Sequence, residues 1–139
     1  MTVDTSVIDR YYAALNARDY DAYAQLFTPD AKLEAPGGIA GTGPAAMRAF
    51  DEGFISASSD FTITTLIRYP DGGTVASENL AEGVHDGLFV TPQGDIPASG
   101  NQIGGKYVGV FELRDGRISA QRVYYDRLIV AEQMMGVAV

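Results

Sequence analysis

Cysteine is absent from this chain of 139 residues, so it has no disulfide framework, no thiolate nucleophile and no cysteine-ligated zinc. Histidine occurs once, as His85, which excludes a multi-histidine metal site. Positive charge is scarce: Lys and Arg number 10 against 18 Asp and Glu, for a formal net charge of -8. That sign repels phosphates, which argues against nucleic-acid and anionic-lipid partners and favours a neutral or hydrophobic small molecule. No apolar run approaches membrane-span length, and residues 1–10 lack a basic stretch followed by an apolar one. The expectation is therefore a cytoplasmic protein with no membrane partner. The length suits one sizeable core and is too short for two, so residues 1–139 are read as a single domain.

What is present is a change of grammar halfway along. In the first half, Ile8, Tyr11, Tyr12 and Leu15 repeat at helical spacing behind Ser6, which is available as a cap. Asp19 is placed to cap a second, shorter helix in which Tyr20, Tyr23, Ala24 and Phe27 recur, with Pro29 to stop it. A short strand is expected over residues 31–35, then a glycine-rich loop over 36–43. Pro44 next suits the first turn of a third helix carrying Met47, Phe50 and Phe54. From Asp60 onward β-branched and alternating residues predict strands near 61–69, 74–85, 106–113 and 117–126. The turns Pro70-Asp71-Gly72-Gly73 and Arg114-Asp115-Gly116 suit hairpins, so neighbouring strands are expected to be antiparallel. The loop from Thr91 to Asn101, which includes Pro92, is the longest candidate rim or lid. Helices followed by strands imply an α+β fold in which helices cover one face of a curved, mostly antiparallel sheet. Such a sheet can leave an apolar pocket open at one end.

The last quarter carries the chemistry. Gly116 to Asp126 reads as a turn and a strand ending on a carboxylate behind Tyr124 and Tyr125. A carboxyl held among aromatics is suited to general acid or base duty. The competing reading is that Asp126 caps the segment 127–133, or pairs with Arg122 or Arg127 at the surface.

The opening helix pair with residues 31–36, the run Gly83-Val84-His85-Asp86-Gly87, the turn Pro97-Ala98-Ser99-Gly100, and Tyr125-Asp126 followed by Gln133-Met134-Met135-Gly136 together carry a resemblance. In order and spacing they resemble the SnoaL-like polyketide cyclases of the nuclear-transport-factor-2-like superfamily, over nearly the whole chain. The resemblance implies a cone-shaped α+β domain that works as a homodimer and closes a ring in a polyketide by an intramolecular aldol condensation, with no metal and no organic cofactor. It also implies a general acid/base role for Asp126 and a supporting role for His85. The sequence departs from the pattern at Asn101, where a basic residue is common, and at Met134-Met135, where Leu is more usual. Relatives of the same shape carry out ketosteroid isomerisation, epoxide chemistry or pericyclic closure, and others are non-catalytic binding or dimerisation modules.

Strand alternation puts Ile118, Ala120, Arg122, Tyr124 and Asp126 on one face if the strand is unbroken. Arg122 would then lie inside, able to pair with Asp126 or to bind a substrate oxygen, whereas a bulge near Val123 would turn it out. Tyr12, Phe50, Phe54, Phe89, Tyr107, Phe111 and Tyr124 are the candidate aromatic lining, of which Tyr12, Phe50, Tyr107, Phe111 and Tyr124, with Arg122, are assigned to substrate binding. Glu82 and Glu112 are read as solvated residues of a wet sheet face. The 37–43 loop is not a phosphate cradle, because the lysine of a P-loop is missing.

Overall fold

The structure, a computed structural model, describes residues 4–91 and 94–136. Helix α1 spans Ser6–Ala17 and buries Val7, Ile8, Tyr11, Tyr12, Ala14 and Leu15, the stripe its periodicity predicts. Its N-cap is Thr5 rather than Ser6, and the Ser6 amide is held instead by Asp4 Oδ1 at 2.9 Å. Helix α2, Tyr20–Ala24, is capped by Asp19, whose side chain accepts from the Ala22 amide. It ends earlier than expected, because Phe27 already belongs to strand β1, Phe27–Ala35. Pro29 sits inside that strand, in the stretch between Phe27 and Lys32 where the register shifts. Proline removes a ladder donor, and such an irregular stretch is where a strand tolerates one.

The glycine-rich segment is a hairpin, not an open loop. Gly37 and Gly38 take positive φ in the turn, and strand β2, Ile39–Thr42, pairs antiparallel with β1. Helix α3, Pro44–Ala57, opens on its proline as expected. Strands β3 (Thr62–Asp71), β4 (Thr74–Val84), β5 (Gln102–Arg114) and β6 (Arg117–Tyr124) follow, and helix α4 (Arg127–Met135) closes the described chain. Among the described residues no helix is long and apolar enough to cross a membrane.

The six strands form one sheet in the order β2-β1-β6-β5-β4-β3. All neighbours are antiparallel except β1 and β6, which run parallel and join the two halves of the chain. The parallel pair departs from the hairpin expectation because α3 and the whole β3–β4–β5 meander intervene between its strands. Helix α1 packs on the sheet through Ile8, Tyr11 and Leu15 against Phe27, Val75, Phe111 and Ile118, all within one buried cluster. Its C-terminal end is fixed to β3 by Asn16, which donates to the Ile63 carbonyl and accepts from the Ile63 amide, both at 2.9 Å.

One irregularity decides which side chains face inward. Leu113 pairs with Ile118 and Glu112 with Ala120, so β6 carries one extra residue, Ser119, whose hydroxyl bonds the Glu112 carbonyl at 3.1 Å. Past this bulge the alternation is reversed. Ile118 is buried on the inner face, and so are Gln121 and Val123, while Arg122 and Tyr124 turn outward.

Candidate active site

Helices α3 and α4 and the inner ends of α1 and the sheet enclose a cavity of about 190 Å³. Phe50, Phe54, Ile55, Phe61, Ile63, Ile103, Val123 and Ile129 give it a mainly apolar wall. The polar side chains that reach it are few: Asp51, Tyr11, Gln121, Tyr107, Tyr125, Asp126 and, at the β5 end, Lys106. An apolar cavity with a small convergent polar set is the usual design of a small-molecule site.

Asp51 is the centre of that set. It lies one turn beyond Met47 on α3, where Met47 is fully buried, so the same helix face carries a carboxylate inward. Tyr11 Oη donates to Asp51 Oδ2 at 2.8 Å and Tyr23 Oη donates to the same oxygen at 2.6 Å. Gln121 Nε2 in turn donates to Tyr11 Oη at 2.9 Å. Both phenols thus bond Oδ2, and Asp51 itself lines the cavity. Burial pushes the Asp51 carboxyl up to about 6, and the two phenolic hydrogen bonds partly oppose the rise by stabilising the anion. Burial also raises Tyr11, Tyr23 and Tyr107, with the Asp51 charge adding to each, so these phenols stay protonated as donors.

Asp126 also lines the cavity, at its exposed rim. It is the N-cap of α4, and its Oδ1 accepts from the amides of Leu128 at 3.0 Å and Ile129 at 3.2 Å. The capping reading is the one this geometry bears out, while the carboxyl, expected among aromatics, lies exposed at the rim. Helix α4 is held over the cavity by Gln133, whose side chain accepts from the Gly104 amide at 3.0 Å and donates to the Gly104 carbonyl at 2.9 Å.

Of the expected aromatic lining, Phe50, Phe54 and Tyr107 reach the cavity, and Tyr12, Phe111 and Tyr124, also assigned to substrate, do not. Tyr12 is buried with its hydroxyl accepting from Asn79 Nδ2 at 2.9 Å, and burial pushes it up to about 12. Phe111 is wholly buried in the core beneath α1. Arg122 and Tyr124 are corrected to the outer face by the Ser119 bulge. There Arg122 pairs with Glu112 at 2.7 Å, and Tyr124 is 54% exposed. The loop 91–101 does not line the cavity through its described residues, and Pro92 lies outside the described residues.

His85 is fully buried but is not a cavity residue. Its Nδ1 lies 2.9 Å from Ser99 Oγ, its amide donates to the Asn101 carbonyl at 2.8 Å, and its carbonyl accepts from Gly100 at 2.9 Å. The flanking glycines serve close packing: a Cβ at Gly83 would meet the Ser58 side chain, and one at Gly87 the Ser56 carbonyl. The Gly-x-His-x-Gly run is thus a seam between the end of α3 and the entry to β5.

Sequence reasoning missed Asp51, Tyr11, Tyr23 and Gln121 as a group. Helical spacing marked the two tyrosines only as core, and nothing local distinguishes Asp51 from Glu52 beside it.

The chain matches the SnoaL-like domain family over residues 8–121. It belongs to that family. In shape it is similar to a SnoaL-like polyketide cyclase candidate from Jannaschia sp. CCS1, at 19% identity over 99% of each chain with a TM-score of 0.85. It is also similar to IdmH, a polyketide cyclase candidate from Streptomyces antibioticus, at 22% identity over 96% of this chain and 98% of that one, TM-score 0.78. An epoxide hydrolase of the LEH-like kind from M. tuberculosis shares the fold at 19% identity, over 94% and 87% of the two chains, TM-score 0.69. At these identities the likeness is one of fold: this SnoaL-like domain is an α+β cone whose sheet and helices enclose the cavity described above.

Proposed function

We propose that this SnoaL-like protein is a cofactor-independent cyclase that closes a ring in a hydrophobic, polyketide-like carbonyl compound by an aldol-type step, with Asp51 as the base. The observation that carries the reading is the Asp51 carboxylate, desolvated in an apolar cavity and pushed up to about 6. That places it near the working range of a general base at neutral pH. The carboxylate takes a proton from the carbon next to a substrate carbonyl. The resulting enolate carbon attacks a second carbonyl of the same molecule, one carbon–carbon bond forms, and the new alkoxide takes back the proton from Asp51. The phenol of Tyr107, which burial keeps protonated and whose hydrogen bond goes to Tyr12, forms part of the polar wall beside the reacting carbonyl. Phe50 and Phe54 hold the aromatic body of the substrate. Asp126, at the rim, caps the helix that covers the cavity, and His85 acts only by fixing the chain that leads into β5.

The test uses 2-tetralone, a bicyclic ketone with acidic protons beside its carbonyl, in deuterated buffer. The expected result is saturable exchange of those protons, followed by NMR. Asp51→Asn should lower the exchange by at least about a hundredfold, the usual weight of a general base, while Asp126→Asn stays within about threefold of the parent. Exchange that survives Asp51→Asn and disappears in Asp126→Asn would return the base to the rim carboxylate. Binding of 2-tetralone without any exchange would point to closure by pocket shape alone, or to a binding module.

A further inference from the structure

Gln121 carries information about the ligand that the proposed base does not. It is 3% exposed, it lines the cavity, and it points inward because of the Ser119 bulge. Its Nε2 donates to Tyr11 Oη, but its Oε1 has no hydrogen-bond partner among the described residues. Of the buried polar side-chain atoms without a partner among those residues, Oε1 is the one that belongs to a cavity-lining residue. A buried carbonyl oxygen without a donor is costly, and native proteins satisfy nearly all of them.

The orientation of the amide is not arbitrary. Tyr11 has one hydroxyl proton, and it goes to Asp51 Oδ2. Tyr11 Oη can therefore only accept from Gln121, which fixes Nε2 toward the tyrosine and Oε1 away from it. The Asp51 carboxylate thus sets the direction of the whole chain, from Gln121 through Tyr11 to Asp51.

We propose that Gln121 Oε1 is a specificity contact that accepts a hydrogen bond from a hydroxyl of the ligand, so that the cavity selects phenolic or enolic compounds over their O-alkylated or deoxygenated counterparts. The inference rests on the cavity being a small-molecule site, as in the proposed function, but it needs no catalysis by Asp51. A methoxy oxygen cannot donate, and binding one leaves Oε1 unpaired with an added methyl against it. A phenol or enol supplies the missing donor, and polyketide-like carbonyl compounds in their enol form carry such a group.

The experiment compares 2-naphthol with 2-methoxynaphthalene by calorimetric or NMR titration of the full chain. The parent protein should prefer the naphthol by about tenfold or more, the usual effect of leaving one buried acceptor unpaired. Gln121→Met keeps the volume and removes the acceptor, and the preference should fall to within about twofold of unity. Tyr11→Phe is the second variant. It frees the amide to rotate, so that the methoxy oxygen can receive Nε2 and the preference collapses even though Gln121 is intact. A merely structural role for Gln121 would weaken both ligands alike and leave their ratio unchanged.

Asp51→Asn should keep the preference, because the asparagine oxygen can stand where Oδ2 stands and accept from both Tyr11 and Tyr23, which preserves the direction of the chain. If that variant abolishes it while Gln121→Met does not, Asp51 reads the hydroxyl and the proposal is overturned. Equal affinity for the two compounds in the parent protein, or binding of neither, overturns it as well. A retained hydroxyl preference with no deuterium exchange into 2-tetralone would remove the enzymatic reading and leave this one standing.

Discussion

The hydroxyl of Tyr23 donates to Asp51 Oδ2 at 2.6 Å, joining the second helix to the third across 28 residues of sequence. The bond stabilises a carboxylate that burial would otherwise drive toward its neutral form, and its removal leaves desolvation less opposed. Tyr23→Phe should therefore raise the Asp51 pKa further, by about one unit or more, as expected for losing a hydrogen bond to a charged group. The acidic limb of the pH profile for 2-tetralone exchange reads this directly, and a limb that stays in place would contradict it.

Asp51 also predicts how stability depends on pH. Its folded value, about 6, lies above the ordinary 3.8. The folded chain then binds more protons than the unfolded chain between those values, so stability falls as pH rises through that window. About two pKa units correspond to roughly 3 kcal/mol lost from this group between about pH 4 and pH 6. Asp51→Asn should flatten that part of the curve and leave the variant more stable than the parent at neutral pH. Urea midpoints across this range check both statements. The carboxylates held low by hydrogen bonds, Asp60 and Asp86 among them, act in the opposite direction and lose their contribution only below the ordinary carboxylate value.

Asp126 can be divided into its two parts by substitution. Asparagine is as good an N-cap as aspartate, so Asp126→Asn should keep stability within about 0.5 kcal/mol, whereas Asp126→Ala should cost about 1 kcal/mol. Thermal or chemical denaturation of the pair measures the cap. The 2-tetralone assay on the asparagine variant measures the chemistry.

Gln133 predicts the behaviour of α4. Its amide replaces a strand partner for Gly104, bonding both the N–H and the carbonyl. Gln133→Ala should expose the Gly104 amide and speed its hydrogen exchange by about tenfold or more, together with the amides of residues 130–135. Unchanged exchange at Gly104 would show that the side chain is not what holds the helix down.

Gly104 itself tolerates no side chain. It sits at φ +123, and an added Cβ would collide with the Ala81 carbonyl oxygen of the neighbouring strand. Gly104→Ala should destabilise the fold by about 3 kcal/mol or more, because both strain and a backbone clash act at once. Gly38, also at positive φ but with open space around it, should tolerate the same change at about 1 kcal/mol.

Much of the fold is legible residue by residue. The stripe Ile8, Tyr11, Tyr12 and Leu15, the Asp19 cap, Pro44 at the head of α3, and the turns at 70–73 and 114–116 are local devices, and each acts within a few residues of itself. Local physics of that range is written in the sequence, and it was enough to give an α+β domain with helices on a curved sheet. Where long-range pairing competes with local preference, pairing wins: Phe27 continues a helical period but is drawn into β1.

The site belongs to the other category. Tyr11, Tyr23, Asp51 and Gln121 are spread over 110 residues and meet only because β1 pairs in parallel with β6 and α3 folds back beside α1 and α2. Nothing near Asp51 in the chain announces that its carboxylate will be desolvated, since desolvation is a property of what surrounds a group and not of its neighbours in sequence. The Ser119 bulge is equally silent. A single extra residue leaves composition and hydrophobic pattern almost untouched, yet it exchanges the faces of β6, turning Arg122 and Tyr124 to the outside and Gln121 and Val123 to the cavity. Sequence alone determined most of the helices and strands, though not β2 or the start of β1, because propensity, capping and turn chemistry act locally. Tertiary structure alone decided which carboxylate is buried and which side chains reach the ligand, because burial and strand register depend on partners far away in the chain.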